Sequence, residues 1–224
     1  MVPPILAYWG ALQSDLDVQR EYLTLAYDQI RLYRDYLRDE SAGNVWHHIV
    51  LGSWNDTGYW ATGQGWAAAG ILRVYQTIAK SNLRDEMGWA LTDLTNWAEE
   101  IVAGTWSYQQ EDGSLFNYLD QPDSFMDLSS TSFMAAITYR LAVITDVTSH
   151  IHCADNAFAL VKNNIAEDGR LINVVNPYDF STLYSDVSPE GQAMALMLQA
   201  AFRDYQAFSN GINDSINSLV CLHE

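Results

Sequence analysis

The run Trp60-Ala61-Thr62-Gly63-Gln64-Gly65-Trp66-Ala67-Ala68-Ala69-Gly70 puts two large rings and three glycines directly before a helical stretch. Glycine lets a backbone approach a ligand closely, and an indole face is a good platform for the apolar face of a sugar ring. A sugar-binding loop that opens a helix is therefore the first expectation. A helix start carrying two core tryptophans is its alternative. His48 lies in the preceding loop beside Trp46 and Trp54 and is a ligand candidate, with His47 as its solvated neighbour. Asp56 shares that loop, where Asp-Thr-Gly is also ordinary turn chemistry. Asp120 and Asp127 flank Gln121-Pro122-Asp123, and Asp127 is placed to cap the helix that opens with Ser129-Ser130-Thr131. Glu190 stands at a helix N-terminus, where its charge is expected to be stabilised. His150, His152 and His223 show no partner spacing, and no Ser-His-Asp pattern, phosphate loop or metal cluster is evident. No metal and no cofactor is expected.

The elements that hold these residues follow from periodicity. Tyr22, Leu25, Ala26, Gln29, Ile30, Tyr33, Tyr36 and Leu37 recur at three and four, which predicts an amphipathic helix from about Leu16 to Arg38. Further helices are expected near Trp66 to Ala79, Leu83 to Val102, Ser130 to Ile144, Ile151 to Ile165 and Pro189 to Phe208, the last with Ser188 as N-cap and Pro189 in its first turn. A first helix is already under way by Ile5. The turn signals Gly43, Gly113 and Gly169 recur at 70 and 56 residues (113 − 43 and 169 − 113), so three loosely equal units fill the chain. Each reads as helix, turn, long aromatic and acidic loop, helix, a pattern of stacked supersecondary units. Period-two patterns are nearly absent. The chain is expected to be all-α, an α/α toroid with its loops gathered at one end; a parallel bundle or a helical solenoid is the alternative.

The 224 residues are 49% hydrophobic, enough for one core. No apolar run approaches the ~20 residues of a membrane span. A net charge of −17, with only 11 basic residues, argues against nucleic acid and anionic membranes as partners. An oligosaccharide suits the acidic, aromatic loops better. Cys153 and Cys221 match no framework. Asn55-Asp56-Thr57 and Asn213-Asp214-Ser215 fit the N-glycosylation pattern, which hints at a secreted or extracellular parent, although no signal peptide is recognisable.

Met1 to Gly10, Trp46-His47-His48-Ile49-Val50-Leu51-Gly52, Trp60 to Trp66, Asp120 to Ser130 and Ser188-Pro189-Glu190-Gly191-Gln192 follow one another as in six-hairpin glycosidases. The chain resembles the unsaturated glucuronyl and rhamnogalacturonyl hydrolases of glycoside hydrolase families 88 and 105, particularly fungal relatives. The resemblance implies an (α/α)6 barrel of which this chain holds about the C-terminal half: residues 1–210 as a partial six-hairpin domain and 211–224 as a tail. It also implies hydrolysis of an oligosaccharide ending in a 4,5-unsaturated uronic acid, in which an aspartic acid protonates the enol-ether double bond and activates water. In the family that aspartate lies just upstream of the segment matching Met1-Val2-Pro3-Pro4, so an N-terminally truncated, inactive chain is expected. The substrate-binding positions it implies are His48, Trp60, Thr62, Gln64, Trp66 and Asp127.

Two positions depart from the family loop, which usually reads Trp-x-Arg-Gly-Asn-Gly-Trp. Thr62 stands for the arginine and Gln64 for the asparagine. An arginine complements a uronate by a bidentate, charge-assisted contact, and threonine cannot. A uronate then needs Arg73, Arg140 or another cation to face the pocket; otherwise a less charged sugar is expected. A non-catalytic carbohydrate-binding toroid and an α-mannanase-like glycosidase with paired carboxylates are the alternatives.

Overall fold

The computed structural model describes residues 2–184, 186 and 188–220, with side chains through 211. Cys221 and His223 lie outside the described residues, as do the side chains of Asn213, Asp214 and Ser215. The described helices are α1 (Val2–Ala11), α2 (Leu16–Leu37), α3 (Ala61–Ala79), α4 (Gly88–Trp106), α5 (Leu128–Thr145), α6 (Ile151–Asn163) and α7 (Pro189–Val220). Between α6 and α7 an antiparallel pair, β1 (Val174–Asn176) and β2 (Asp179–Tyr184), forms the one sheet among the described residues. None of these helices is long and apolar enough to cross a membrane.

Alternate helices share one row. α1 packs on α3, α3 on α5 and α5 on α7, while α2, α4 and α6 lie behind them and pair with α1, α3 and α5. The middle of this inner row is α5, and the chain there is apolar or small all round. Phe133, Met134, Tyr139 and Leu141 have at most 1% exposure, and Ser129, Ser130, Thr131 and Ser132 have none. A helix buried on every side over its first three turns shows no amphipathic stripe there, and only its C-terminal half, with Arg140, reaches the surface. The second row is fixed by polar contacts. Arg20–Glu86, Tyr27–Asp93 and Arg34–Glu100 join α2 to α4 and the turn before it, at a constant offset of 66 residues and a step of seven (27 − 20 and 34 − 27). Seven residues are close to two helical turns, so two parallel helices meet repeatedly along one line.

The three expected turn glycines lie in the left-handed region, with φ of 77° at Gly43, 94° at Gly113 and 86° at Gly169. They open the connections α2 to α3, α4 to α5 and α6 to α7, so all three long connections emerge at the same end of the helix rows. Gly65 has a different reason. A Cβ there would come within 2.5 Å of the Phe133 ring, so its missing side chain lets α3 lie close against α5.

Several expected bounds shift. α3 begins at Ala61 rather than Trp66, which puts Thr62, Gln64 and Trp66 on a helix instead of a loop. α4 begins at Gly88 rather than Leu83, because Ser81 takes the Leu83 N–H at 3.1 Å and holds a turn there. α7 continues from Pro189 to Val220, past the expected end near Phe208. The Ser188 cap forms, its Oγ accepting from the Gly191 N–H at 3.1 Å. The β-hairpin was not expected, since its strands are three and six residues long, carry a register irregularity and show no alternation of burial.

The apolar helix α1 leaves Ile5 66%, Tyr8 47% and Trp9 54% exposed, whereas Leu6 packs on the core.

Candidate functional site

The connections into α3, α5 and α7 are laced together. Ala61 N–H donates to Asn117 O at 2.8 Å, and Leu119 N–H donates to Tyr59 O at 3.0 Å. Asn117 then joins all three: its Oδ1 accepts from the Trp60 indole at 3.1 Å, and its Nδ2 donates to Phe180 O at 2.8 Å. An almost fully buried asparagine with both ends of its amide committed is a joint, and the sequence marked it only as one polar residue among aromatics.

Four rings gather around that joint. His48 lies 4.6 Å from Trp60 and 5.1 Å from Phe180 between centroids, and Trp54 stacks on Phe180 at 6.5 Å with 3° between planes. Phe180 comes from the unexpected hairpin. The His48 ring is held from behind by Asp56, whose Oδ2 is 2.8 Å from Nδ1. Tyr118 OH donates to that same Oδ2 at 2.5 Å, and the Gly58 N–H donates to Oδ1 at 3.0 Å. Burial pushes the Asp56 carboxyl up, but the bonds from Tyr118, His48 and Gly58 outweigh it and leave the group below its ordinary range. Asp56 is thus a carboxylate, an acceptor only, so Nδ1 of a neutral His48 carries the proton and Nε2 is left with a lone pair for a ligand. On its other side His48 lines an open cleft of about 340 Å³ with Tyr33, Tyr36, Leu37, Ile49 and Leu51.

The remaining expected site residues stand elsewhere. Gln64 is buried and closes a two-bond clamp on Trp46, accepting from its N–H at 2.8 Å and donating to its carbonyl at 2.6 Å. Thr62 is buried and donates to Asp127 Oδ2 at 3.3 Å. Asp127, with no exposed surface, caps α5 through the Ser129 and Ser130 N–H groups at 3.0 and 2.9 Å. It also takes the Val175 N–H at 2.9 Å, which ties the hairpin down. These three residues hold the loops from inside. The Trp66 ring lies 4.9 Å from Phe133 and bounds a cavity of about 50 Å³ beside Pro3 and Pro4. The structure brings the His48 and Trp60 rings into contact, while Trp66 contacts Phe133 and Asp127 caps α5.

His47 is not a solvated neighbour: its Nδ1 lies 2.6 Å from Thr57 O and its ring stacks on Tyr59 at 5.3 Å. Glu190 also differs from expectation. Burial and the nearby Asp127 charge raise its carboxyl above the ordinary range, against the hydrogen bond from Trp66. Desolvation outweighs the favourable field of the α7 N-terminus. Among the described residues no group of three or more His, Cys, Asp or Glu side chains is placed to hold a metal ion.

Helix rows with long connections gathered at one end, and an aromatic, hydrogen-bonded cluster in those connections, define a glycosidase-type α/α toroid segment. The chain belongs to Glycosyl Hydrolase Family 88, whose model matches residues 1–202. Its fold is similar to that of a possible GH105 family member from Salmonella enterica, with a TM-score of 0.77 at 22% identity over 92% of this chain and 55% of that one. It is also similar to the unsaturated glucuronyl hydrolase of Bacillus sp. GL1, with a TM-score of 0.66 at 18% identity over 90% and 56%. A family 88 glycosyl hydrolase from Bacteroides vulgatus gives 0.63 at 16% over 91% and 60%. The chain spans little more than half the length of these structures. No curated protein matches it. Family 88 membership leaves the α-mannanase-like alternative without support.

Proposed function

We propose that this chain forms the glycan-holding end of a glycoside hydrolase that acts on polysaccharide-derived oligosaccharides, in the unsaturated-uronyl lineage of its family, within a secreted parent. The observation that carries the reading is the oriented His48 beside Trp60, Trp54 and Phe180. The exposed Trp54 indole offers a surface for the apolar face of a sugar, and His48, oriented by Asp56, stands beside it.

We propose further that the chain by itself binds without turning over. Protonating an enol ether needs a positioned carboxylic acid. Asp56 is held ionised by three donors, and Asp127 is enclosed by the α5 cap and the hairpin. Glu190 is the loop-end carboxyl whose surroundings favour the protonated form, and it is hydrogen-bonded to Trp66. The non-catalytic carbohydrate-binding reading is favoured by one observation, the buried Thr62 where the family places an arginine. Both readings are tested together by titrating the chain with oligosaccharides while following tryptophan fluorescence, and by following the ultraviolet absorbance of unsaturated uronyl disaccharides. Binding without loss of absorbance is expected. Turnover abolished by Asp56→Asn or Glu190→Gln would identify a catalytic carboxyl in this chain and overturn the second proposal.

A further inference from the structure

The segment that opens α7 is held to the connection before it. Ser188 Oγ accepts from the Gly191 N–H at 3.1 Å, and Gln192 accepts from the Leu171 N–H at 3.1 Å and donates to Gly169 O at 3.2 Å. A Cβ on Gly191 would come within 2.9 Å of Val174, so its missing side chain lets the first turn of α7 lie close on β1. Glu190, inside this fixed turn, reaches another helix: its carboxyl accepts the indole N–H of Trp66.

Helix register puts that bond on the grooved face of the inner row. Ala11 of α1, Arg73 of α3, Arg140 of α5 and Met197 of α7 line one groove. Seven residues nearer each helix start, about two turns and 10 Å, stand Pro4, Trp66, Phe133 and Glu190 (11 − 4, 73 − 66, 140 − 133 and 197 − 190). These four positions continue the same face toward the end where the long connections gather. There Trp66 of α3 and Glu190 of α7 join across α5, which packs between those two helices. The Trp66 ring stands edge-on to Phe133, 4.9 Å away with 73° between planes, and Trp66 and Glu190 both keep part of their surface exposed.

We infer that Glu190 is a positioning residue, holding the Trp66 indole as a sugar platform at the loop end of this face. The role rests on the glycan-binding reading, in which Trp66 is one of the substrate positions that the family resemblance implies. An edge-on contact with Phe133 leaves the indole's rotation about its own bonds open, and a directional bond to Nε1 closes it. Without that bond a bound sugar must immobilise the ring itself, which weakens binding about three- to tenfold. Burial and the Asp127 charge raise the Glu190 carboxyl, yet it can accept in either form, through its carbonyl oxygen as the acid and through both oxygens as the carboxylate.

The test is calorimetry of the 224-residue chain with two matched probes, a disaccharide ending in glucuronic acid and its neutral, glucose-ended equivalent. Each probe that the wild type binds should bind about three- to tenfold more weakly to Glu190→Ala, and within about twofold of wild type to Glu190→Gln, which keeps an acceptor without the charge. Unchanged affinity in Glu190→Ala overturns the inference and leaves the glycan reading standing. Equal losses in both variants make the charge the cause and overturn it as well. Binding of neither probe overturns the glycan reading and the inference with it. Trp66→Ala should cost at least as much affinity as Glu190→Ala, and a smaller loss counts against the platform. On the Trp66→Ala background, Glu190→Ala should add less than about twofold; a full second loss would put Glu190 on the sugar itself and end its positioning role. The indole N–H resonance missing from Trp66→Phe identifies Trp66 among the eight tryptophans. It should move in Glu190→Ala, and an unmoved resonance overturns the inference. If Glu190→Ala does not fold by circular dichroism, Glu190→Gln decides by the same resonance, which exchange of a carboxyl acceptor for an amide must shift.

Discussion

Two concave regions of this molecule are opposites. The groove along the C-terminal halves of α3 and α5 is the larger, about 860 Å³, and is lined by Ala69, Leu72, Ile137, Ile144 and Met197 with Arg73, Lys80 and Arg140. The cleft beside His48 is about 340 Å³ and lacks those cations, yet its histidine is held by a carboxylate that a tyrosine and a backbone N–H hold in turn. Volume points to the first and chemistry to the second. Among the described residues Arg140 is the one groove cation in an ion pair, with Asp204 at 2.9 Å, and nothing orients Arg73 or Lys80 in comparable fashion. A site that must place an atom needs a supporting layer of bonds behind it, and only the loop end has one. The groove is an exposed helix face on a chain that spans little more than half of its structural neighbours.

The largest way to break this contrast is to remove the bond hub under the loops. Asp127→Ala deletes the α5 cap and strands the N–H groups of Ser129, Ser130 and Val175 in the interior. The loss should be about 3–5 kcal/mol, from one cap and several unsatisfied buried donors. Denaturant unfolding measures it, and Asp127→Asn should recover part of it, since asparagine caps well. A loss under about 1 kcal/mol would mean that the loops do not depend on this hub. Next in size, Trp60→Ala should weaken sugar binding by roughly tenfold or more, an aromatic platform being among the larger single contributors at a binding site. Calorimetry on a variant with unchanged circular dichroism decides it.

How much of this was legible in the chain depends on which force acted. The three hairpins were readable because glycine at positive φ and three-four periodicity are local signals, and Gly43, Gly113 and Gly169 fall at the predicted turns. The cap at Ser188 was readable for the same reason. Gly65 was misread. Its freedom suggested a backbone open to ligand, but it answers to Phe133, 68 residues away (133 − 65), a contact no local pattern displays. Gln64 and Thr62 were read as ligand contacts because they replace polar family residues, and burial turned both inward. Asn117 and Phe180 were missed altogether, since the first is a joint between loops and the second sits on a hairpin with no alternation. His48 was singled out through its aromatic neighbours, and Asp56, weighed there as turn chemistry, is its hydrogen-bond partner.

Two carboxyls sharpen the comparison through pH, with opposite signs. Asp56 is lowered in the folded state, so its contribution is present above the unfolded carboxylate range near pH 4 and is lost as pH falls through the folded value. The stability gap between wild type and Asp56→Asn should be constant from pH 7 to 5 and close below about 4. Glu190 is raised, so its protonated form is favoured on folding. Its contribution is present below the unfolded value near 4.3 and is lost as pH rises through the folded one. Glu190→Gln, which mimics the neutral acid, should therefore stabilise the chain at pH 7 and not at pH 4. Thermal unfolding at the two pH values reads the sign, and a variant equally stable relative to wild type at both would remove Glu190 from the set of perturbed groups.

The smallest expected effect is the one that separates the two concavities most directly. Arg73 and Lys80 line the groove, and among the described residues neither of their side chains makes a hydrogen bond or an ion pair. Arg73 is half-buried and Lys80 exposed, and replacing unpaired cations of this kind changes stability by roughly 0.5 kcal/mol. If sugar is held at His48 and Trp60, the double variant Arg73→Ser, Lys80→Ser should bind the neutral disaccharide within about twofold of the wild type, a difference below about 0.4 kcal/mol. If the groove were the binding site for an anionic glycan, the same change would remove two of its three positive charges, and affinity for the glucuronate-ended probe would fall steeply and with a strong dependence on salt. Measuring both probes at low and high ionic strength distinguishes the cases. A salt-dependent loss confined to the acid would move the functional site to the groove.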